Sequence, residues 1–179
     1  MTELRTSREI HASPFLTVVV EAWDGIGDYE VVRHPAAAGL LPVTPEGDVL
    51  LVKQFRPAVR QVLTEIPAGL LDIEGEDALT CAARELFEET GFRHAAIEFL
   101  GGFYTSAGFT DEYIHLFRAA TASEPEGTPE AGIEVVRRPL ADMVAAARAG
   151  KVRDAKSALA LLLAGDLPPL VPGEASEVG

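Results

Sequence analysis

The segment from Gly69 to Phe92 constrains this chain more than any other, because Glu76, Arg84, Glu85, Glu88 and Glu89 gather there around one stretch of helical period. At about 100° per residue, Glu85, Glu88 and Glu89 share a narrow arc of a helix predicted from Asp77 to Thr90, with Leu79, Ala83, Leu86 and Phe87 as an apolar stripe. Such a helix docks on a core and leaves its acidic edge accessible. Gly91 is the expected C-terminal stop. Carboxylates three and four residues apart repel and weaken an isolated helix, which calls for a compensating cation in the folded state. Hard carboxylate oxygens without a nearby pair of His or Cys ligands favour Mg²⁺, with Mn²⁺ as a substitute, over Zn²⁺. The alternative is a solvated acidic face.

The order of these residues is specific. Gly69 is followed by six residues, Glu76, seven residues, and then Arg84-Glu85-Leu86-Phe87-Glu88-Glu89-Thr90-Gly91-Phe92. This closely resembles the Nudix box, usually G-x5-E-x7-R-E-U-x-E-E-x-G-U with U apolar. The additional residue between Gly69 and Glu76 reads as an insertion in the loop before the helix, since everything from Glu76 onward keeps register. The resemblance runs from Tyr29 to about Ala164 and is greatest to the ADP-ribose pyrophosphatases of that superfamily. Gln54-Phe55-Arg56-Pro57-Ala58-Val59, Glu65-Ile66-Pro67-Ala68-Gly69 and Ser106-Ala107-Gly108-Phe109-Thr110-Asp111-Glu112 resemble three further segments of those enzymes, Ala107 standing where proline is usual.

The resemblance implies roles residue by residue. Glu85 and Glu89 are the principal metal ligands, with Glu88 and the Ala68 carbonyl also in the metal sphere; Arg84 orients a box carboxylate and Glu76 braces the loop carrying Ala68. Arg56, Glu65 and Phe109 are expected to meet the substrate, Arg56 through a phosphate or the base, or else to be an ordinary salt bridge, a metal-cluster carboxylate and a core ring respectively. The general base is open. Those enzymes keep a glutamate where this chain has Ala131, which leaves Glu130, Glu112 or a metal-assisted hydroxide without a dedicated base.

Other features bound the reading. A chain of 179 residues with 47% hydrophobic content suits one compact enzyme domain, and its formal charge of −13 argues against a nucleic-acid partner. Any anionic substrate must then be held locally, by metal and a few arginines. The single cysteine, Cys81, leaves no internal disulfide and fits a reducing cytoplasm as a small buried thiol. Neither a signal-peptide pattern nor a bilayer-length apolar run is present, so a soluble chain is expected.

Strands are predicted at Phe15–Ala22, Tyr29–Arg33, Gly39–Val43, Val49–Phe55, Ile97–Phe103, Tyr113–Ala119 and Ile133–Arg137, with helices at Leu140–Ala149 and Asp154–Ala164 besides the acidic one. This is an α/β order, consistent with the Nudix-type α/β/α sandwich and its mixed sheet. Residues 1–38 are an N-terminal antiparallel β extension that the resemblance makes a homodimerisation element, 39–166 the hydrolase domain and 167–179 a flexible tail. The implied activity is Mg²⁺-dependent hydrolysis of the diphosphate bond of ADP-ribose, or a related nucleoside diphosphate sugar, to AMP and ribose 5-phosphate. The alternatives are another nucleotide substrate (a flavin dinucleotide, another sugar nucleotide, a damaged nucleoside triphosphate), a non-catalytic ADP-ribose-sensing module, or a calcium-binding or adaptor protein with an acidic helix.

Overall fold

The computed structural model describes residues 2–170. Of the expected tail, residues 171–179 lie outside the described residues. The chain starts with an antiparallel three-stranded sheet, β1 (Leu4–Ala12), β2 (Thr17–Trp23) and β3 (Gly27–Arg33), in the order β1-β2-β3. The second sheet contains β4 (Ala37–Val43), β5 (Asp48–Arg56), β6 (Gln61–Glu65), β7 (Ala68–Leu70), β8 (His94–Tyr104), β9 (Tyr113–Thr121) and β10 (Glu134–Pro139). Its order is β10-β5-β4-β9-β8, with β6 paired to β5 and β7 to β4. Only the β4–β9 pairing is parallel, so the sheet is mixed.

Period-two alternation divides the core between the two faces of this sheet. Ala38, Leu40, Leu50, Phe117 and Ala119 point to one side, where they meet Cys81, Ala82 and Leu86 of α1 (Ala78–Thr90). Leu41, Val49, Leu51, Ile114 and Leu116 point to the other, where they meet Val144 and Ala147 of α2 (Leu140–Arg148) and Ala160, Leu161 and Ala164 of α3 (Ala155–Ala164). This is the expected α/β/α sandwich with its antiparallel N-terminal extension. Among the described residues no helix is long and apolar enough to cross a membrane.

The apolar stripe expected on α1 is rotated. Its buried face is Cys81, Ala82 and Leu86, whereas Phe87 lies outside the core with the Arg93 guanidinium 4.1 Å above its ring. The rotation brings Cys81 into the core, where the thiol was expected. Three strands carry no clear sequence signal. β1 is exposed at all nine positions, β6 leaves Val62 exposed and β7 has three residues, so none shows the buried-exposed alternation that marks a strand. Beyond α3, the Pro168 carbonyl accepts a hydrogen bond of 2.7 Å from Arg118, tying the start of the expected tail to β9.

Candidate active site

Two elements build the site: β7, held against β4, and the C-terminal half of α1. α1 begins at Asp77, whose side chain accepts from the Thr80 amide at 2.7 Å, and ends at Gly91 in the left-handed region at φ 78°. Between them, Glu85 rises against β7. A Cβ added to Gly69 would collide with the Glu85 carboxylate, so with any larger residue at this position of the strand that carboxylate must leave its present place. Next to it the Ala68 amide donates to Glu89 Oε2 at 3.2 Å. The structure therefore brings Ala68, Gly69, Glu85 and Glu89 together, as the sequence pattern required.

Arg84 organises the carboxylates around it. Its Nε and Nη2 donate to the two oxygens of Glu76 at 2.8 and 2.9 Å, a bidentate pair, while Nη1 reaches Glu85 at 2.5 Å and Glu88 at 2.9 Å. Hydrogen bonds to Glu76, outweighing the cost of burial, hold the guanidinium more firmly charged than usual. Glu76 thus acts through Arg84, which also reaches the Leu70 carbonyl at 3.5 Å. Burial raises the Glu85 carboxyl above its ordinary range, and it pushes Glu89 up to about 7, with the neighbouring Glu85 charge adding to the effect and Arg56 and Lys156 opposing it.

The donor set suits a hard divalent cation. Glu85 and Glu89 offer oxygen ligands from one helix face, burial and repulsion from neighbouring carboxylates raise the proton affinity of both, and the missing side chain at Gly69 leaves room for the Glu85 carboxylate. Among the described residues no three His, Cys, Asp or Glu side chains already form a ligand cage. Glu88 turns to Arg84 and is half exposed, and the Glu65 carboxylate is occupied.

Glu65 is buried at the end of β6 with 1% of its side chain exposed. Arg56 of β5 donates to both its oxygens, Nε at 2.8 Å and Nη2 at 2.6 Å, and Lys156 of α3 donates to Oε2. Burial alone would raise the Glu65 carboxyl, but the Arg56 hydrogen bonds and the Lys156 charge bring it below its ordinary value. Glu65 is consequently closed to direct ligand contact, and its two oxygens aim the cations instead. Arg56 keeps 41% of its side chain exposed. Lys156 has no counterpart among the residues singled out by sequence. Its local signal is Asp154-Ala155-Lys156-Ser157, where Asp154 caps α3 through the Ser157 amide at 2.9 Å and also accepts from Lys156 at 3.0 Å. The Ser157 hydroxyl accepts from the buried Ile66 amide at 2.8 Å, which fixes α3 beside the β6–β7 turn.

The remaining candidates separate. The loop after β9 folds onto the end of α1: the amides of Glu126 and Gly127 donate to the Gly91 carbonyl at 2.9 and 3.0 Å, and the Glu130 amide donates to the Glu88 carbonyl at 2.8 Å. Glu130 is exposed beside the acidic end of the helix. Glu112 lies elsewhere, accepting from the Thr105 hydroxyl at 2.6 Å and standing 3.6 Å from His34 Nδ1. Phe109 is 55% exposed and lines a cavity of about 620 Å³ together with Trp23, Tyr29 and Tyr104, so it is a surface ring rather than core filling.

Comparison with known proteins agrees with this geometry. The NUDIX domain family model matches residues 33–161. Over 136 residues the chain is 40% identical to the ADP-ribose pyrophosphatase of Bacillus subtilis (strain 168), covering 74% of this chain and 73% of that protein. Over 153 residues it is 37% identical to the GDP-mannose pyrophosphatase of Cronobacter sakazakii (strain ATCC BAA-894), covering 75% and 79%. The crystal structure of an ADP compounds hydrolase superposes with a TM-score of 0.75 over 92% of both chains at 20% identity, which is a likeness of fold.

Proposed function

The chain belongs to the Nudix hydrolase family, and on that premise we propose that it hydrolyses the diphosphate bond of ADP-ribose, or of a closely related nucleoside diphosphate sugar, to a nucleoside monophosphate and a sugar phosphate. One observation carries this reading: Glu89, buried, and Glu85, partly buried, stand beside Ala68 and Gly69 with more negative charge than Arg84 neutralises. A non-catalytic module or a solvated acidic surface has no need to bury those groups.

Glu85, Glu89 and the Ala68 carbonyl would hold Mg²⁺, or Mn²⁺ in its place, with Glu88 beside them on Arg84. When bound, the ion supplies the positive charge that attack on an anionic diphosphate requires. Arg84 keeps Glu85 and Glu88 aligned, and Glu76 fixes Arg84. Arg56, aimed by Glu65, binds a phosphate of the substrate, and Lys156 adds positive charge behind it. Phe109 meets the base or sugar from the loop before β9. Glu130 is the general base, accepting a proton from the attacking water at its carboxylate; its backbone bond to Glu88 supports that role, whereas Glu112 is engaged with Thr105 and His34. The protein works in a reducing cytoplasm as a homodimer built through residues 1–38.

The test is incubation with ADP-ribose, GDP-mannose, a flavin dinucleotide and an oxidised nucleoside triphosphate, each with Mg²⁺ in ¹⁸O-labelled water, followed by product masses. AMP and ribose 5-phosphate as the fastest-formed pair, one of them carrying the label, support the proposal. Turnover of another nucleotide alone reassigns the substrate, and no turnover of any removes the catalytic reading.

A further inference from the structure

The loop carrying Phe109 belongs by sequence to the hydrolase domain, yet it is pinned to the N-terminal sheet. The Val32 amide donates to the Phe109 carbonyl at 2.7 Å and the Asp111 amide to the Val32 carbonyl at 3.3 Å, so the loop pairs with β3 like one more short strand. Side chains lock this register. Asp111 accepts from Arg33 Nη1 at 2.9 Å through one oxygen and from the His34 amide at 3.0 Å through the other. The second arm of Arg33 reaches Glu21 on β2, whose carboxylate is 5% exposed and has no other side-chain partner among the described residues. Glu21 thereby fixes Arg33, and Arg33 fixes Asp111 two residues from Phe109. The same three charged side chains, Trp23 and Phe109 line one cavity.

We propose that Arg33 is a positioning residue for substrate binding, clamping the Ser106–Glu112 loop to the N-terminal sheet through Asp111 so that Phe109 is held at the mouth of the Trp23 cavity. The inference rests on the reading of Phe109 as a substrate contact. A guanidinium is required because one planar fork must satisfy two carboxylates on separate elements, which a lysine ammonium does with poorer geometry. Removal of Arg33 leaves Glu21 buried and unpaired, which endangers the fold itself. Asp111→Asn is therefore the cleaner probe, since it spares the Glu21–Arg33 pair.

The experiment compares Arg33→Lys, Asp111→Asn, the double variant and Phe109→Ala, reading KM and kcat with ADP-ribose and acrylamide quenching of Trp23, the only tryptophan of the chain. Loss of a charged hydrogen bond predicts an increase in KM of about tenfold for each single variant with kcat little changed, and more accessible Trp23 fluorescence. Because the Arg33–Asp111 contact is lost in both and Arg33→Lys also disturbs Glu21, the double variant should be no worse than Arg33→Lys alone. Native KM and native quenching in Asp111→Asn, or effects that multiply in the double variant, overturn the clamp. Phe109→Ala with unchanged KM would instead sink the assumed role of Phe109, while the Trp23 response of Asp111→Asn still decides whether the loop is clamped.

Discussion

Gly69 shows how a single residue carries the site. Its Cα is the floor on which the Glu85 carboxylate rests, so Gly69→Ala must displace either β7 or the glutamate. Misplacing a positioned group by about an ångström costs on the order of 10²-fold in rate, and kcat should fall by that factor while the thermal midpoint shifts little. Rate assays beside calorimetry check this; near-native turnover would mean that Glu85 need not occupy its present place. Helical period alone put Glu85, Glu88 and Glu89 on one arc, and the resemblance to the Nudix box added Gly69, Glu76 and Arg84 to that reading. Lys156 was not legible in the sequence, because it reaches Glu65 across 91 residues of chain and no local periodicity records such a contact. Glu65 is held by Lys156 across that distance and by Arg56 from only nine residues away, through a strand pairing whose β6 partner had no alternating pattern, and this turns an expected substrate ligand into the support of Arg56.

At the level of the element, α1 holds carboxylates that repel one another and are partly withdrawn from water. The Glu89 carboxyl, pushed up to about 7 by burial and by Glu85, binds protons in the folded state that it would release when unfolded. Its contribution to stability is present below the ordinary carboxylate range and is lost as pH rises from about 4.5 to about 7. Metal-free protein should therefore lose thermal stability across that interval, and Mg²⁺ should restore more of it at pH 7.5 than at pH 5.5, where it competes with a proton. Scanning calorimetry with chelator and with Mg²⁺ over this range measures both effects, and a midpoint that climbs through the interval without metal would contradict the assignment. All three helices and seven of the ten strands were readable from periodicity and stop signals. The rest lack the burial that writes a pattern: β1 faces solvent throughout, and the turn-flanked β6 and β7 are short. α1 was read correctly in extent but rotated, since Cys81 and Ala82 rank low as apolar markers although both are fully buried.

Across the whole molecule, a chain of formal charge −13 binds a polyanionic nucleotide only by concentrating positive charge at one place. Arg56 of β5, Lys156 of α3 and Arg84 of α1 supply fixed positive charge, and the proposed divalent ion would add to it. The N-terminal sheet contributes at a distance, through Arg33 and Asp111, and exposes Leu4, Ile10 and Phe15 on or near its outer strand. Such an edge invites pairing with another chain, and sedimentation should give twice the mass of one chain, whereas a monomer at micromolar concentration would remove the dimer from the account. The proposed activity stands on a divalent ion gripped by Glu85 and Glu89. The most direct measurement of that grip is a titration of free Mn²⁺ by electron paramagnetic resonance with the native protein, Glu85→Gln and Glu89→Gln. The native protein should deplete the free-ion signal and each variant should bind at least about tenfold more weakly, as expected when a charged oxygen ligand is neutralised. Native Mn²⁺ affinity in both variants would contradict it.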